Sequence, residues 1–144
     1  MKKLILILLA FNLCFIFYQS ALPVSVSSGE SGFVTEEIVK PVYETVTGKE
    51  ADFTDTLVRK AAHVTEYFSL GLLAAAFFGS GSLRRALKVC NYCVLTALAD
   101  ETLQIFTGRG SEIRDVWIDA FGAAAGILLA LCICAVSAAV RKND

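Results

Sequence analysis

The sequence predicts an all-α integral membrane protein, folded as a bundle of four transmembrane helices with an extracytoplasmic linker between helices one and two. Hydrophobic residues make up 56% of the 144-residue chain, and the mean hydropathy of +0.61 exceeds that of a typical soluble domain. The apolar residues form four segments, each close to the roughly 20 residues that a spanning helix needs. With a net charge of −1, the chain lacks the basic surface typical of nucleic-acid-binding proteins.

The first apolar segment, Leu4–Leu22, follows Lys2 and Lys3 and contains few polar residues. A basic start followed by an apolar run is also typical of secretory signal peptides. This segment is long for the apolar region of a signal peptide, however, and Phe17-Tyr18-Gln19 lacks the small residues that precede a cleavage site. We therefore interpret residues 1–22 as an N-terminal transmembrane helix.

A sharp change in composition marks residues 23–56 as a polar linker. Ser, Gly, Thr and seven acidic residues dominate it, as in a flexible connector. Residues 34–47 also alternate enough apolar and charged positions to form a short amphipathic helix at the membrane interface, although Pro41 would interrupt it. The sequence leaves both interpretations open.

Three further apolar segments form the predicted core, residues 57–140, which is followed by a short cytoplasmic tail, residues 141–144. Glycine-containing turns separate them, because glycine supplies the positive φ that tight turns need. The segments are Leu57–Phe78, Ala86–Phe106 and Val116–Val140, and the turns are Gly79-Ser80-Gly81-Ser82 and Thr107-Gly108-Arg109-Gly110-Ser111. The five cysteines (Cys14, Cys90, Cys93, Cys132 and Cys134) lie in apolar segments, where we expect small buried hydrophobic residues.

The basic residues favour a cytoplasmic location for both termini. That orientation places seven of the 13 Lys and Arg residues on the cytoplasmic side, and the basic start of helix one favours the same side. Four of the six basic residues on the other side lie beside acidic residues, where function would hold them: Arg59, Lys60, Arg109 and Arg114. The polar residues then face the extracytoplasmic side.

Ionisable residues at the ends of three core segments predict one polar layer in the outer leaflet. Such residues are costly in a membrane and are therefore candidates for a functional site. Within each helix they are spaced three or four residues apart and share a face. The candidate ligand-binding residues are Lys60, His63, Tyr67, Asp100, Glu101, Gln104, Arg109 and Asp115.

The same layer contains residue types that could bind a metal or transfer protons. The candidate metal ligands are His63, Glu66, Asp100 and Glu101, and the candidate catalytic residues are His63, Glu101 and Asp115. Histidine with carboxylates suits a hard or borderline divalent ion, although no fixed metal-binding motif is present. We expect no cofactor from the sequence alone and leave a divalent metal open.

Several of these residues also have purely structural interpretations. Asp115 is suited to cap the fourth helix, and Tyr67 and Trp117 to anchor helices at the membrane interface, the role that we favour for both aromatics. Gly122-x-x-x-Gly126 is typical of close helix packing, either within the chain or between two copies in a homo-oligomer.

Several blocks of the chain resemble the VanZ-like family of small bacterial membrane proteins. The blocks are Arg-Lys-x-x-His-x-x-Glu-Tyr-Phe-x-Leu-Gly at 59–71, Asp-Glu-x-x-Gln-x-Phe at 100–106, Gly-Arg at 108–109, Asp115 and Gly-x-x-x-Gly at 122–126. The family pattern often has Asn at the position of Asp119. The resemblance implies a multi-spanning protein associated with low-level resistance to teicoplanin-type glycopeptide antibiotics, without an established biochemical activity.

Two function classes stay open at this level, with binding favoured over catalysis. In the first, Lys60, Arg109 and Arg114 bind the anionic groups of membrane lipids or of a lipid-linked cell-wall precursor, modulating the cell envelope or lowering sensitivity to glycopeptides. The alternative is a metal-dependent or acid-base membrane enzyme that modifies a lipid-linked envelope precursor.

Overall fold

The computed structural model describes residues 2–52, 54–79, 81–110 and 112–143, and the regular elements in these ranges are helical. Ser80 and Ser111, which belong to the two predicted turns, lie outside the described residues. The helices are α1 (Lys2–Ala21), α2 (Val24–Val34), α3 (Lys40–Thr47), α4 (Asp55–Phe78), α5 (Leu83–Phe106) and α6 (Ile113–Asn143). The predicted all-α fold is confirmed, and each predicted apolar segment corresponds to one helix.

Within the described ranges, three helices are long and apolar enough to cross a membrane: α1, α4 and the part of α6 that ends at Arg141. Helix α5 has the same 24-residue length as α4 but is more polar, since it contains Arg84, Arg85 and Lys88 near one end and two acids near the other. The number of four spans is therefore not confirmed.

The outer surface of the bundle is apolar. Phe106 is 81% exposed, and Trp117 and Phe121 are each 72% exposed, as expected for side chains that face lipid. Cys93 is buried as predicted, whereas the prediction is wrong for Cys14, Cys132 and Cys134, which are exposed. An apolar segment in a membrane protein faces lipid as well as the core, so apolar neighbours do not imply burial.

Helices α4 and α6 run parallel and pack backbone against backbone. A Cβ atom added to Gly122 would lie 2.6 Å from the Val64 carbonyl oxygen, and one added to Gly126 would lie 2.1 Å from that of Phe68. On α4, Gly71 approaches the Ala123 carbonyl oxygen in the same way. The glycines thus serve helix packing within the chain. A homo-oligomer through Gly122 and Gly126 stays a prediction, and it would require α4 to move aside.

Helices α1 and α5 run opposite to α4. The Asn12 side chain donates to Ser69 Oγ at 2.8 Å near the middle of α4, and the last turn of α1 reaches the first turns of α4. Helix α5 begins beside the end of α4, where the rings of Phe78 and Tyr92 are 6.2 Å apart, and ends near the start of α6. One end of the bundle therefore gathers the end of α1, the start of α4, the end of α5 and the start of α6.

The polar linker is mostly helical, so the interpretation as a flexible connector is wrong for residues 24–32, and residues 34–47 are helical, one of the two structures that the sequence left open. A π-helical turn, Thr35–Val39, joins α2 to α3 and places Pro41 in the first turn of α3, where its missing N–H is tolerated. Hydroxyl groups bond back to their own helix, for example Thr35 Oγ1 to the Ser31 carbonyl at 2.7 Å. Helix α2 also packs against α4, a contact that composition does not reveal.

Candidate functional site

Asp100 on α5 links three helices at this end of the bundle. Its side chain is fully buried and accepts a hydrogen bond from Ser20 Oγ of α1. The hydroxyl of Tyr67 on α4 donates to the other carboxylate oxygen at 3.2 Å. Tyr67 is itself fully buried, so its prediction as an interfacial anchor is wrong. Its hydroxyl finds a carboxylate partner instead, as a buried tyrosine requires.

His63 lies one turn before Tyr67 and faces two carboxylates. His63 Nδ1 is 3.5 Å from Asp119 Oδ1 and 4.0 Å from Asp100 Oδ2. The first distance exceeds that of an ordinary N–H···O hydrogen bond. Asp119 is fully buried, and neither of its oxygens has a hydrogen-bond partner among the described residues. We refer to His63, Asp100 and Asp119 as the triad.

Lys60 and Asp115 form an ion pair one helical turn above the triad, with Nζ and Oδ1 3.1 Å apart. Because α6 begins at Ile113, Asp115 lies in the first helical turn, and its prediction as the capping residue is wrong. The pairs Lys60–Asp115 and His63–Asp119 follow the parallel register of α4 and α6. The two acids share a face, as their i, i+4 spacing predicts, and that face lies against α4.

The loop after α5 connects the site to α1. Arg109 is buried, and its Nη1 donates to the Gln19 carbonyl oxygen at 2.7 Å. Thr107 Oγ1 donates to the Ser20 carbonyl oxygen at 3.1 Å. The Arg109 backbone amide donates to the Gln104 carbonyl, and the Gln104 side chain donates to Glu101 Oε1 at 3.2 Å. Burial and the nearby Arg59 guanidinium lower the pKa of Arg109.

A cavity of about 490 Å³ opens between α1, α2 and α4 beside the triad. His63, Glu66, Arg59 and Arg109 supply polar and charged groups, and Glu30 adds a further acid. The rest of its lining is largely apolar and aromatic, and includes Phe15, Tyr18, Phe33, Val34 and Val58. We refer to this space as the groove. A much smaller cavity, of about 40 Å³, also borders His63 and is lined by Asp119, Lys60 and Asp115.

A family model described as VanZ/LLP1 matches residues 5–135 of the chain. The chain belongs to the VanZ/LLP1 family. No curated protein and no solved structure matches it significantly. The VanZ/LLP1 match begins in α1 and so extends well beyond the blocks at 59–126 that carry the resemblance in sequence. Helix α1 and the helical linker are thus part of the family unit.

The structure of this VanZ/LLP1 protein brings the predicted ligand-binding residues to one end of the bundle. Of the four predicted metal ligands, His63 and Asp100 lie together, whereas Glu66 lines the groove and Glu101 accepts from Gln104. Arg114 is exposed and does not line either cavity. The roles of all these residues stay predictions, because position alone does not establish a function.

Sequence reasoning missed contributions from α1, α2 and α6. Ser20 and Gln19 of α1 hold Asp100 and Arg109, and α2 supplies one wall of the groove. The only indication of Ser20 and Gln19 in the sequence was that they are two polar residues at the end of an apolar segment. Asp119 was absent from the predicted ligand sets, although it shares a helix face with Asp115 and lies at the centre of the site.

Proposed function

We propose that this VanZ/LLP1 protein binds an anionic lipid-linked ligand in the groove, and that this binding underlies low-level glycopeptide resistance or envelope modulation. The observation that supports the proposal is the lining of the groove, which combines two guanidinium groups with aromatic and aliphatic walls. Such a lining fits an amphiphile whose charged head lies near Arg59 and Arg109 and whose chain lies along the apolar walls.

The electrostatics of Arg59 and Arg109 favour an anion between them. Arg59 is partly buried and forms no ion pair with an acid in the ranges 2–52, 54–79, 81–110 and 112–143. Arg109 is buried and donates to a neutral carbonyl group. Two guanidinium groups that line the same groove gain from a shared phosphate or carboxylate, which each can bind through paired N–H donors.

Glu66 and Glu30 add acidic groups to the basic groups of the groove. Both carboxylates line the same space as the two arginines. They are suited to accept hydrogen bonds from hydroxyl or amino groups of a head group whose phosphate binds the arginines. The mixed lining therefore favours a phosphate that carries a sugar or an amine over a simple fatty acid.

The alternative function is a metal-dependent or acid-base membrane enzyme acting on a lipid-linked envelope precursor. The triad favours it, because histidine and two buried carboxylates beside a groove are suited to proton transfer or to metal binding. Binding requires only the groove and its charges, so it remains the first proposal. Mass analysis of wall precursors and membrane lipids, with and without the protein, distinguishes the two: a modified precursor supports the enzyme.

Removal of the Arg59 charge is expected to weaken phosphate binding. We expect purified full-length protein to bind dodecyl phosphate more tightly than uncharged dodecyl maltoside, and Arg59→Gln to lower the affinity for dodecyl phosphate about tenfold or more, since a charged hydrogen bond contributes about 1.5–3 kcal/mol. Arg84→Gln, in an exposed residue at the other end of the bundle, is the matched control. Affinities can be measured by native mass spectrometry.

In cells, the same variants connect binding to resistance. A susceptible host producing the wild-type protein should tolerate more teicoplanin than one producing Arg59→Gln, His63→Ala or Glu101→Gln at equal membrane levels. Equal affinity for the phosphate and the uncharged amphiphile would contradict the binding proposal. Unchanged resistance in all three variants would show that resistance does not use this site.

We further propose that α5 is the fourth span and that the groove opens to the extracytoplasmic side. Since α4 and α6 run parallel, α5 has to return along the length of the bundle from the end of α4 to the start of α6. The end that this places in the cytoplasm carries Lys2, Lys3, Arg84, Arg85 and Lys88, in agreement with the positive-inside rule.

Cysteine labelling tests this orientation. In a background without the native cysteines, a membrane-impermeant maleimide added to intact cells should label Gly110→Cys, because Gly110 is exposed in the loop at the groove end. Gly81→Cys, in the exposed turn between α4 and α5, should be labelled only after the membrane is opened. The reverse pattern would overturn the orientation, and labelling of both positions from outside would exclude a spanning α5.

A further inference from the structure

We propose that the triad of His63, Asp100 and Asp119 binds one divalent cation of the Zn²⁺ or Mn²⁺ class. Each residue comes from a different helix, and one donor atom of each lies within 4.8 Å of the other two. One imidazole nitrogen with two carboxylate oxygens is a borderline-to-hard donor set, which these ions accept. The site does not depend on the lipid-linked ligand proposed above.

Two of the three donor–donor distances in the triad are close to those of a metal site. Ions of this class bind nitrogen and oxygen at roughly 2.0–2.2 Å, so that donors on a tetrahedral ion lie about 3.4 Å apart. His63 Nδ1 lies 3.5 Å from Asp119 Oδ1 and 4.0 Å from Asp100 Oδ2. An ion would need to draw the donors together by only a fraction of an ångström along these two edges.

Asp119 provides a second, independent indication of a missing partner. Its carboxylate is fully buried, and both oxygens are without a hydrogen-bond donor in the described part of the chain. Burying a carboxylate without hydrogen bonds is costly, and the nearest group that can carry a positive charge, His63 Nδ1, lies 3.5 Å away, beyond ordinary hydrogen-bond distance. Lys60, the nearest lysine of α4, does not pair with Asp119, because it pairs with Asp115. A cation between Asp119, His63 and Asp100 would provide the missing charge.

The surroundings of Asp100 resemble those of a ligating carboxylate. Ser20 donates to one oxygen and Tyr67 to the other, which fixes the orientation of the group. Metal-binding carboxylates are commonly held by such hydrogen bonds, and their loss lowers metal affinity about 10- to 100-fold. Tyr67 and Ser20 are therefore positioning residues for the ion.

The small cavity provides space for water on the ion. It has a volume of about 40 Å³ and is lined by both His63 and Asp119. A buried water needs roughly 10–15 Å³ of such space, so a water molecule bound to the ion fits. Three protein ligands with a free coordination position are typical of ions that bind an exchangeable oxygen ligand.

The test is metal binding by the purified full-length protein. After removal of metals with a chelator, the protein is dialysed against Zn²⁺ and separately against Mn²⁺, and the bound ion is measured by mass spectrometry. We expect the wild-type protein to bind close to one ion per chain tightly. Tyr67→Phe should lower the affinity for the ion about 10- to 100-fold, and Asp119→Asn should lower it further. Asp55→Asn, which changes an exposed acid at the start of α4, should bind like the wild type.

Zinc can also bind thiolates, so X-ray absorption of the wild-type protein identifies the ligands without any variant. We expect a first shell of nitrogen and oxygen only; a sulfur ligand would assign the ion to cysteines and overturn the proposal. Failure of the folded wild-type protein to bind either ion, or unchanged binding by folded Asp119→Asn, would also overturn it. None of these results depends on the alkyl phosphate measurement.

Discussion

Replacement of His63 by leucine is expected to lower the free energy of unfolding by about 3–5 kcal/mol, as breaking a buried charge pair does. When protonated, His63 pairs with Asp119, at 3.5 Å, and also approaches Asp100, at 4.0 Å. Without the imidazole, two fully buried carboxylates from α5 and α6 remain close together. The measurement is the SDS-induced unfolding midpoint of the purified protein in mixed micelles, in the presence of a chelator.

A double mutant separates this charge effect from loss of packing. In His63→Leu/Asp119→Asn, one of the two carboxylates becomes neutral, so part of the stability should return. Thr65→Leu, on the exposed face of the same helix, is the matched control and should change stability by less than about 0.5 kcal/mol. If Asp119→Asn destabilises the protein equally in both backgrounds, the two residues do not interact energetically.

The position of the polar layer could be predicted because it follows from helix periodicity. His63 and Tyr67 are four residues apart on α4, as are Asp115 and Asp119 on α6, so each pair shares one face wherever the helices pack. Glycines fixed the turns that bring the helix ends together. The spacing of the polar residues within each helix therefore predicts that they gather at one end of the bundle.

The partners within that layer could not be predicted in the same way. The Ser20–Asp100 bond joins residues 80 positions apart, and the Arg109–Gln19 bond joins residues 90 positions apart. No local pattern encodes which polar groups of distant helices meet. The position of Asp119 beside His63 was not predicted for a related reason. Only the register of α4 against α6 determines whether this acid faces His63 or lipid.

The helical linker shows the limit of composition as evidence. Serine and glycine favour flexible chains when they are solvated, but contacts with a packed neighbour can override such weak preferences. Val34 and Phe33 of α2 line the groove, and Thr35 is buried. The linker therefore lines the groove, and the proposed binding of an amphiphile depends on the apolar wall that it provides.

Replacement of Gly126 by alanine is expected to lower the free energy of unfolding by about 3 kcal/mol, the upper end of the usual cost of overpacking. The added Cβ would lie 2.1 Å from the Phe68 carbonyl oxygen and 2.8 Å from the Leu72 amide nitrogen. Both are backbone atoms, so no side-chain rotation can relieve the clash and α4 and α6 must separate. The SDS-induced unfolding midpoint measures this loss.

Gly32→Ala is the matched control, because Gly32 is also helical and a Cβ added there would have no neighbour within 4 Å. It should leave stability unchanged or raise it by about 0.5–1 kcal/mol, since alanine favours helix more than glycine does. Separation of α4 from α6 would also pull His63 from Asp119, so Gly126→Ala should weaken Zn²⁺ binding although Gly126 contributes no ligand. If Gly126→Ala is as stable as the wild type, these two helices are not in close contact. The described arrangement of the triad would then be wrong as well.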